Sequence, residues 1–254
     1  MRFGATVLAY HGCDRAVGER VLAGEADLRL SDNDYDWLGG GIYFWENNPA
    51  RALEWARLVQ RHGKVSRTQI REPFVVGAVV DVGNCLDLLE AESIRIAEES
   101  HRRLKAAFDS AGMIMPENRI VGGELALRPL DCAVINYVHQ LAEEVGKPPF
   151  DSVRAAFVEG DALYPGAGFH RHTHVQLCIR QAQQIVGTFV HARSQPCAQA
   201  KHNMRPCRPT CYRTMGPSLM ASASGIFSRS KSRPPRSISA SSESCGGSTA
   251  RIHS

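Results

Sequence analysis

The sequence predicts an α+β domain, and three observations carry that prediction. Short β-branched and aromatic runs cluster near the two ends of residues 1–193, while stretches with helical spacing fill the middle. Residues 74–82 are apolar but for Asp81, as a central strand covered on both faces would be. Gly39-Gly40-Gly41 leads straight into Ile42-Tyr43-Phe44-Trp45, an aromatic strand-like run halted by Asn47-Asn48-Pro49. Strands and helices do not alternate regularly, so a doubly wound parallel sheet is not expected.

Taken in order, residues 6–10 read as a strand closed by His11-Gly12. Asp14 caps a helix over 15–23, which Gly24 ends. Leu28-Arg29-Leu30 reads as a short strand before a polar loop. Ile42 and Phe44 should share one face of the aromatic strand, and Tyr43 and Trp45 the other. Pro49 suits a first helical turn, and Ala52, Leu53, Ala56 and Val59 recur at helical spacing over 50–61. After the central strand, residues 86–111 carry Leu88, Leu89, Ile94, Ile96, Leu104 and Phe108 within a charged, alanine-rich helix. Residues 116–123 read as an irregular connection. Pro129 opens a helix over 129–144, which Lys147-Pro148-Pro149 terminates. Residues 153–158 read as a strand, 159–168 as a long loop, and 174–180 and 185–191 as two late strands.

Charge divides the chain. It holds 30 Lys and Arg against 26 Asp and Glu; nine of the basic residues but one acid, Glu243, lie from Ser194 onward. Residues 1–193 are therefore mildly acidic (21 basic, 25 acidic), and the basic surplus belongs to the tail. The overall charge is no argument for a nucleic-acid partner, nor does it exclude one. The tail, 194–254, has fourteen serines with Tyr212 and Phe227 as its aromatics. Such a composition buries too little apolar surface to offset its ordering entropy, so the tail is expected to be disordered, or an out-of-frame extension. Cys197, His202, Cys207 and Cys211 within it have zinc-like spacing that reads as accidental.

Cys13, Cys85, Cys132 and Cys178 are too scattered for a disulfide framework, which points to reduced thiols and a cytoplasmic protein. Asp14 and Arg15 interrupt the opening apolar run, so no signal peptide is expected, and no run is long enough for a membrane span.

Tyr10-His11-Gly12 at a strand end, Gly39 to Phe44 at a strand start, and the late strand beginning at Thr173-His174-Val175-Gln176 recur in that order in one superfamily. The pattern resembles the ADP-ribosyltransferases of the diphtheria-toxin and poly(ADP-ribose) polymerase branch, whose signature residues are His, Tyr and Glu. The resemblance covers residues 5 to about 191. It implies a split β-sheet fold with inserted helices over 1–193, two small sheets facing across a cleft, and a mono-ADP-ribosyltransferase that cleaves the nicotinamide–ribose bond of NAD. In that frame His11 bonds a ribose hydroxyl, the Gly12 main chain holds the nicotinamide amide, and Gly41 belongs to the same site. Tyr43 would stack on the nicotinamide ring, with Trp55 as a second aromatic wall one residue off the family spacing.

The chain departs from the family at its acid. Gln176 stands where glutamate is expected, keeping a hydrogen bond but losing the charge that favours the departing nicotinamide's oxocarbenium-like partner. Three outcomes stay open: a transferase working on this weaker triad, one that borrows Glu159 or Asp161 of the preceding loop, or a chain that binds NAD without turning it over. Glu159 and Tyr164 are also candidates for recognising the acceptor, whose identity the sequence leaves open among protein, nucleic acid, small molecule and water. A protein-interaction module on the same fold is one alternative. A metal-dependent hydrolase on His170, His172 and His174 is another, although the ADP-ribosyltransferase reading needs no metal.

Overall fold

The computed structural model describes residues 5–63, 69–121 and 124–191, all within one compact unit, Met1–Gln199. The tail expected from Ser194 onward, with its cysteines, lies outside the described residues. Among these residues the chain is α+β. The elements run β1 (Thr6–Asp14), α1 (Arg15–Leu22), β2 (Ile42–Glu46), α2 (Pro49–His62), β3 (Pro73–Asp81), β4 (Cys85–Asp87) and α3 (Ala91–Ala111). They continue with β5 (Arg119–Val121), β6 (Glu124–Leu127), α4 (Pro129–Glu144), β7 (Ser152–Phe157), β8 (His174–Ile179) and β9 (Ile185–Val190).

Local chemistry sets these boundaries. The Asp14 carboxylate accepts from Ala16 N at 3.0 Å and starts α1. Asn48 accepts from Arg51 N at 3.2 Å, with Pro49 in the first turn of α2. Gly112, at φ 63°, ends α3 in the left-handed conformation.

Seven strands form one mixed sheet in the order β4-β7-β8-β2-β1-β3-β9, and β5-β6 make a separate hairpin. β4 and β7 run parallel, and the other registered neighbours are antiparallel. Two separate sheets were expected. The structure instead joins two half-sheets through a narrow seam, because β1 and β2 share only Ala9↔Glu46 and Tyr10↔Trp45, whereas β1 and β3 run together from Thr6↔Asp81 to Asp14↔Pro73.

Both faces are covered. On one, Ile42, Phe44, Val76, Ala78, Leu177 and Ile179 pack with Val21 of α1 and with Leu28. On the other, Val153, Ala155 and Cys178 meet Ile135 and Val138 of α4, and Trp45 and Val75 meet Ala52 of α2. The expected alternation of the aromatic strand is observed.

Several local expectations need correction, β1 among them, which runs on to Asp14 and not only to residue 10. Leu28-Arg29-Leu30 forms no strand; its neighbour Ser31 makes an isolated bridge to Gly41. Leu86 and Asp87, read as the start of a helix, belong to β4, and fully buried Leu86 fills a sheet position beside Val153. Residues 119–121, read as irregular, pair with β6. Strands this short offer too few side chains for a period-2 signal.

Candidate functional site at the seam

Asn47 N donates to the Leu8 carbonyl at 2.9 Å, which fixes the alternation of β1. Leu8, Tyr10 and Gly12 turn their main-chain groups toward β2, and Ala9 and His11 turn theirs toward β3. By the same rule Gly41, Tyr43 and Trp45 turn theirs toward β1. A further rung would pair Gly12 with Tyr43, but the registered ladder stops at Tyr10↔Trp45. Instead, His11 Nδ1 lies 2.8 Å from the Tyr43 carbonyl. The Gly12 N–H and C=O therefore point, side by side, into the opening seam.

The His11 bond settles its tautomer. A carbonyl can only accept, so Nδ1 carries the proton and Nε2 keeps its lone pair. Burial lowers the His11 pKa, and the bond to Tyr43 offsets this in part. The ring is a neutral acceptor at physiological pH. It shares its face with Phe44, whose ring centroid lies 5.7 Å away.

Gly12 has a second reason to be glycine. A Cβ there would lie 2.2 Å from the Ala52 carbonyl oxygen, so α2 rests directly on β1. Gly41 is likewise forced by a close approach, since a Cβ would meet Cys178 Sγ at 2.4 Å. Its N–H and C=O both bond Ser31, at 2.9 and 2.8 Å, so its main chain is committed to the fold and not available to a ligand. Gly39 alone of the three glycines has positive φ, 77°.

Tyr43 does not present a free phenol. Its hydroxyl donates to the Gly39 carbonyl and accepts from Leu38 N, each at 2.9 Å, clasping the glycine loop. Burial, the largest cause, raises its pKa well above the ordinary value. Cys178 lies opposite in register, and burial holds its thiol up at about 12, which removes it as a nucleophile at neutral pH.

Gln176 lies on the same face as Tyr43. It belongs to a row Ala155–Gln176–Trp45–Tyr10 running across four strands. Its Oε1 accepts from Trp37 Nε1 at 2.7 Å. His11 thus occupies the face opposite Tyr43 and Gln176 and reaches them only through the seam, so the expected convergence of three side chains is not observed. The contacts are His11 to the Tyr43 main chain and Gln176 to Trp37.

Glu159 is fixed at the base of the loop between β7 and β8. Its carbonyl accepts from His172 N at 3.0 Å, and its carboxylate meets Arg51 of α2 at 2.6 Å. The same oxygen lies 3.8 Å from Nδ1 of buried His174, two residues before Gln176 on one face of β8. Burial lowers the His174 pKa. The loop is itself a hairpin, with Pro165-Gly166 in a tight turn that Ala167 N closes onto Tyr164 O at 2.9 Å. Tyr164 stands exposed near its tip, and Asp161 is exposed on its arm. Trp55 packs against Trp45 with ring centroids 5.7 Å apart, as a partly buried wall behind the row.

The three loop histidines do not share one strand. His170 Nδ1 faces the Gly160 carbonyl, His172 is exposed in the loop, and His174 starts β8. Among the described residues no group of three or more His, Cys, Asp or Glu side chains is disposed to hold a metal ion. Nor is any helix among them long and apolar enough to cross a membrane.

Sequence reasoning missed Trp37, Arg51 and Arg128. Arg128 lays its guanidinium 4.1 Å from the Trp37 ring centroid, and Phe157 meets that ring edge-on at 5.2 Å. The clue for Trp37 was a large aromatic beside the glycines; the arginines gave none. No family model, curated protein or solved structure matches this chain.

Proposed function

We propose that this chain binds NAD at the seam, on an ADP-ribosyltransferase-like fold, and acts as a mono-ADP-ribosyltransferase of the His-Tyr-Glu type with glutamine at the acid position. The observation that carries the reading is the arrested β1–β2 ladder. It leaves an N–H and a C=O of Gly12 side by side, the complement of a primary carboxamide such as that of nicotinamide. One residue away, His11 Nε2 keeps the lone pair that a ribose hydroxyl needs. Partly buried Tyr43, on the same face as Gln176, supplies an aromatic ring on the far side of the seam.

In this reading the bond between ribose C1′ and the nicotinamide nitrogen breaks, and nicotinamide leaves with the electron pair. The acceptor's nucleophile attacks C1′ and gives up its proton. Glu159 supplies the negative charge that Gln176 lacks, held in place by Arg51. The test is nicotinamide release from labelled NAD. Gln176→Glu should speed release, Glu159→Gln should slow it, and equal rates in both variants and the parent would remove these residues from the chemistry.

A second reading, NAD binding without turnover or a protein-interaction role on the same fold, is favoured by one observation. The Gln176 oxygen, the atom expected to face the ribose, is already bonded to Trp37.

A further inference from the structure

The indole N–H of Trp37 is a donor only, so the oxygen of the Gln176 carboxamide must be the atom facing it. The amide nitrogen consequently points the other way. Among the described residues that nitrogen has no hydrogen-bond partner, and it is not sealed from solvent. Trp37 is itself immobilised. It is 8% exposed, with Arg128 over its face, Phe157 at its edge, and Asp131 holding the Arg128 guanidinium from below. The Arg128 cation over the ring also favours an electron-rich group at the indole edge.

We infer that Trp37 is a positioning residue which turns position 176 from an acceptor into a donor. Held by the indole, Gln176 offers its two amide N–H groups to the substrate, and so selects an acceptor oxygen there rather than a hydroxyl proton. The inference rests on the NAD reading for the identity of that substrate, and it predicts slow turnover. A donor aimed at the ribosyl oxygens withdraws electron density where positive charge develops, whereas a carboxylate would supply it. A glutamate at 176 would keep one oxygen on Trp37 and present the other outward, which restores the acceptor without moving the backbone.

Two measurements on the full chain test this. The first needs no ligand: the indole N–H signal of Trp37 in a ¹H–¹⁵N spectrum should shift and lose exchange protection in Gln176→Met. An unchanged signal overturns the proposal even if the variant is otherwise sound. The second compares Trp37→Phe in the parent and in Gln176→Met, reading kcat and KM for nicotinamide release separately. Losing one neutral hydrogen bond should raise KM about three- to tenfold in the parent, with a smaller change in kcat. In the Gln176→Met background the same substitution should leave KM unchanged. Equal effects in both backgrounds, or a lowered melting temperature with KM untouched, would make Trp37 merely structural. If the parent shows no saturable NAD signal, the NAD reading fails and takes the substrate half of this inference with it, while the indole signal still decides the positioning.

Discussion

His11 Nδ1 occupies, at 2.8 Å, the Tyr43 carbonyl that a Gly12–Tyr43 rung would otherwise use. One side-chain bond thereby replaces a main-chain pair, and the sheet parts at that point without leaving the Tyr43 carbonyl unpaired.

The packing of α2 on β1 is the first consequence that can be measured. Gly12→Ala would drive a methyl group into the Ala52 carbonyl, which is backbone and cannot rotate away. We expect a loss of about 2 kcal/mol or more in urea unfolding. An unchanged midpoint would mean that the helix does not rest on Gly12.

Tyr43 separates stability from ring stacking. Tyr43→Phe keeps the aromatic face but strands the buried Leu38 N–H and leaves the buried Gly39 C=O with the weak Cys178 thiol donor in place of the hydroxyl. The expected cost is about 1–2 kcal/mol of stability with little change in NAD affinity. Tyr43→Ala should lose both. If the phenylalanine variant loses NAD binding while remaining as stable as the parent, the hydroxyl serves the ligand and not the loop.

His139 gives a pH signature. It is 3% exposed, neither ring nitrogen has a hydrogen-bond partner among the described residues, and burial, reinforced by Arg180, pushes its pKa down to about 3. The unfolded chain takes up this proton near pH 6.5, the folded chain only near 3. Its contribution to stability is therefore complete above about pH 6.5 and is lost as pH falls, by about 1.4 kcal/mol per pH unit. Between pH 6.5 and 5 the parent should lose roughly 2 kcal/mol more than His139→Leu. Parallel pH profiles would show that His139 titrates normally.

Much of the fold was legible because its long elements carry strong periods. The helix that Pro129 opens and Lys147-Pro148-Pro149 terminates in the sequence forms as α4, Pro129–Glu144. β1 was read too short, because His11 and Gly12 look like a stop in sequence while β3 pairs with them through Val76 and Val75. The site was legible only where main-chain geometry followed from residue type. Gly12 and His11 fall at the parting of the strands, whereas the bonds of Trp37 to Gln176 and of Arg51 to Glu159 span 139 and 108 residues and leave no local trace.

The most direct measurement is calorimetric titration of NAD into the full chain, repeated with His11→Ala. The account predicts saturable binding of one NAD per chain, weakened about tenfold or more when the Nε2 acceptor and the Tyr43 bond are removed together. Absence of saturable binding to the parent, or equal affinity in the variant, would contradict it.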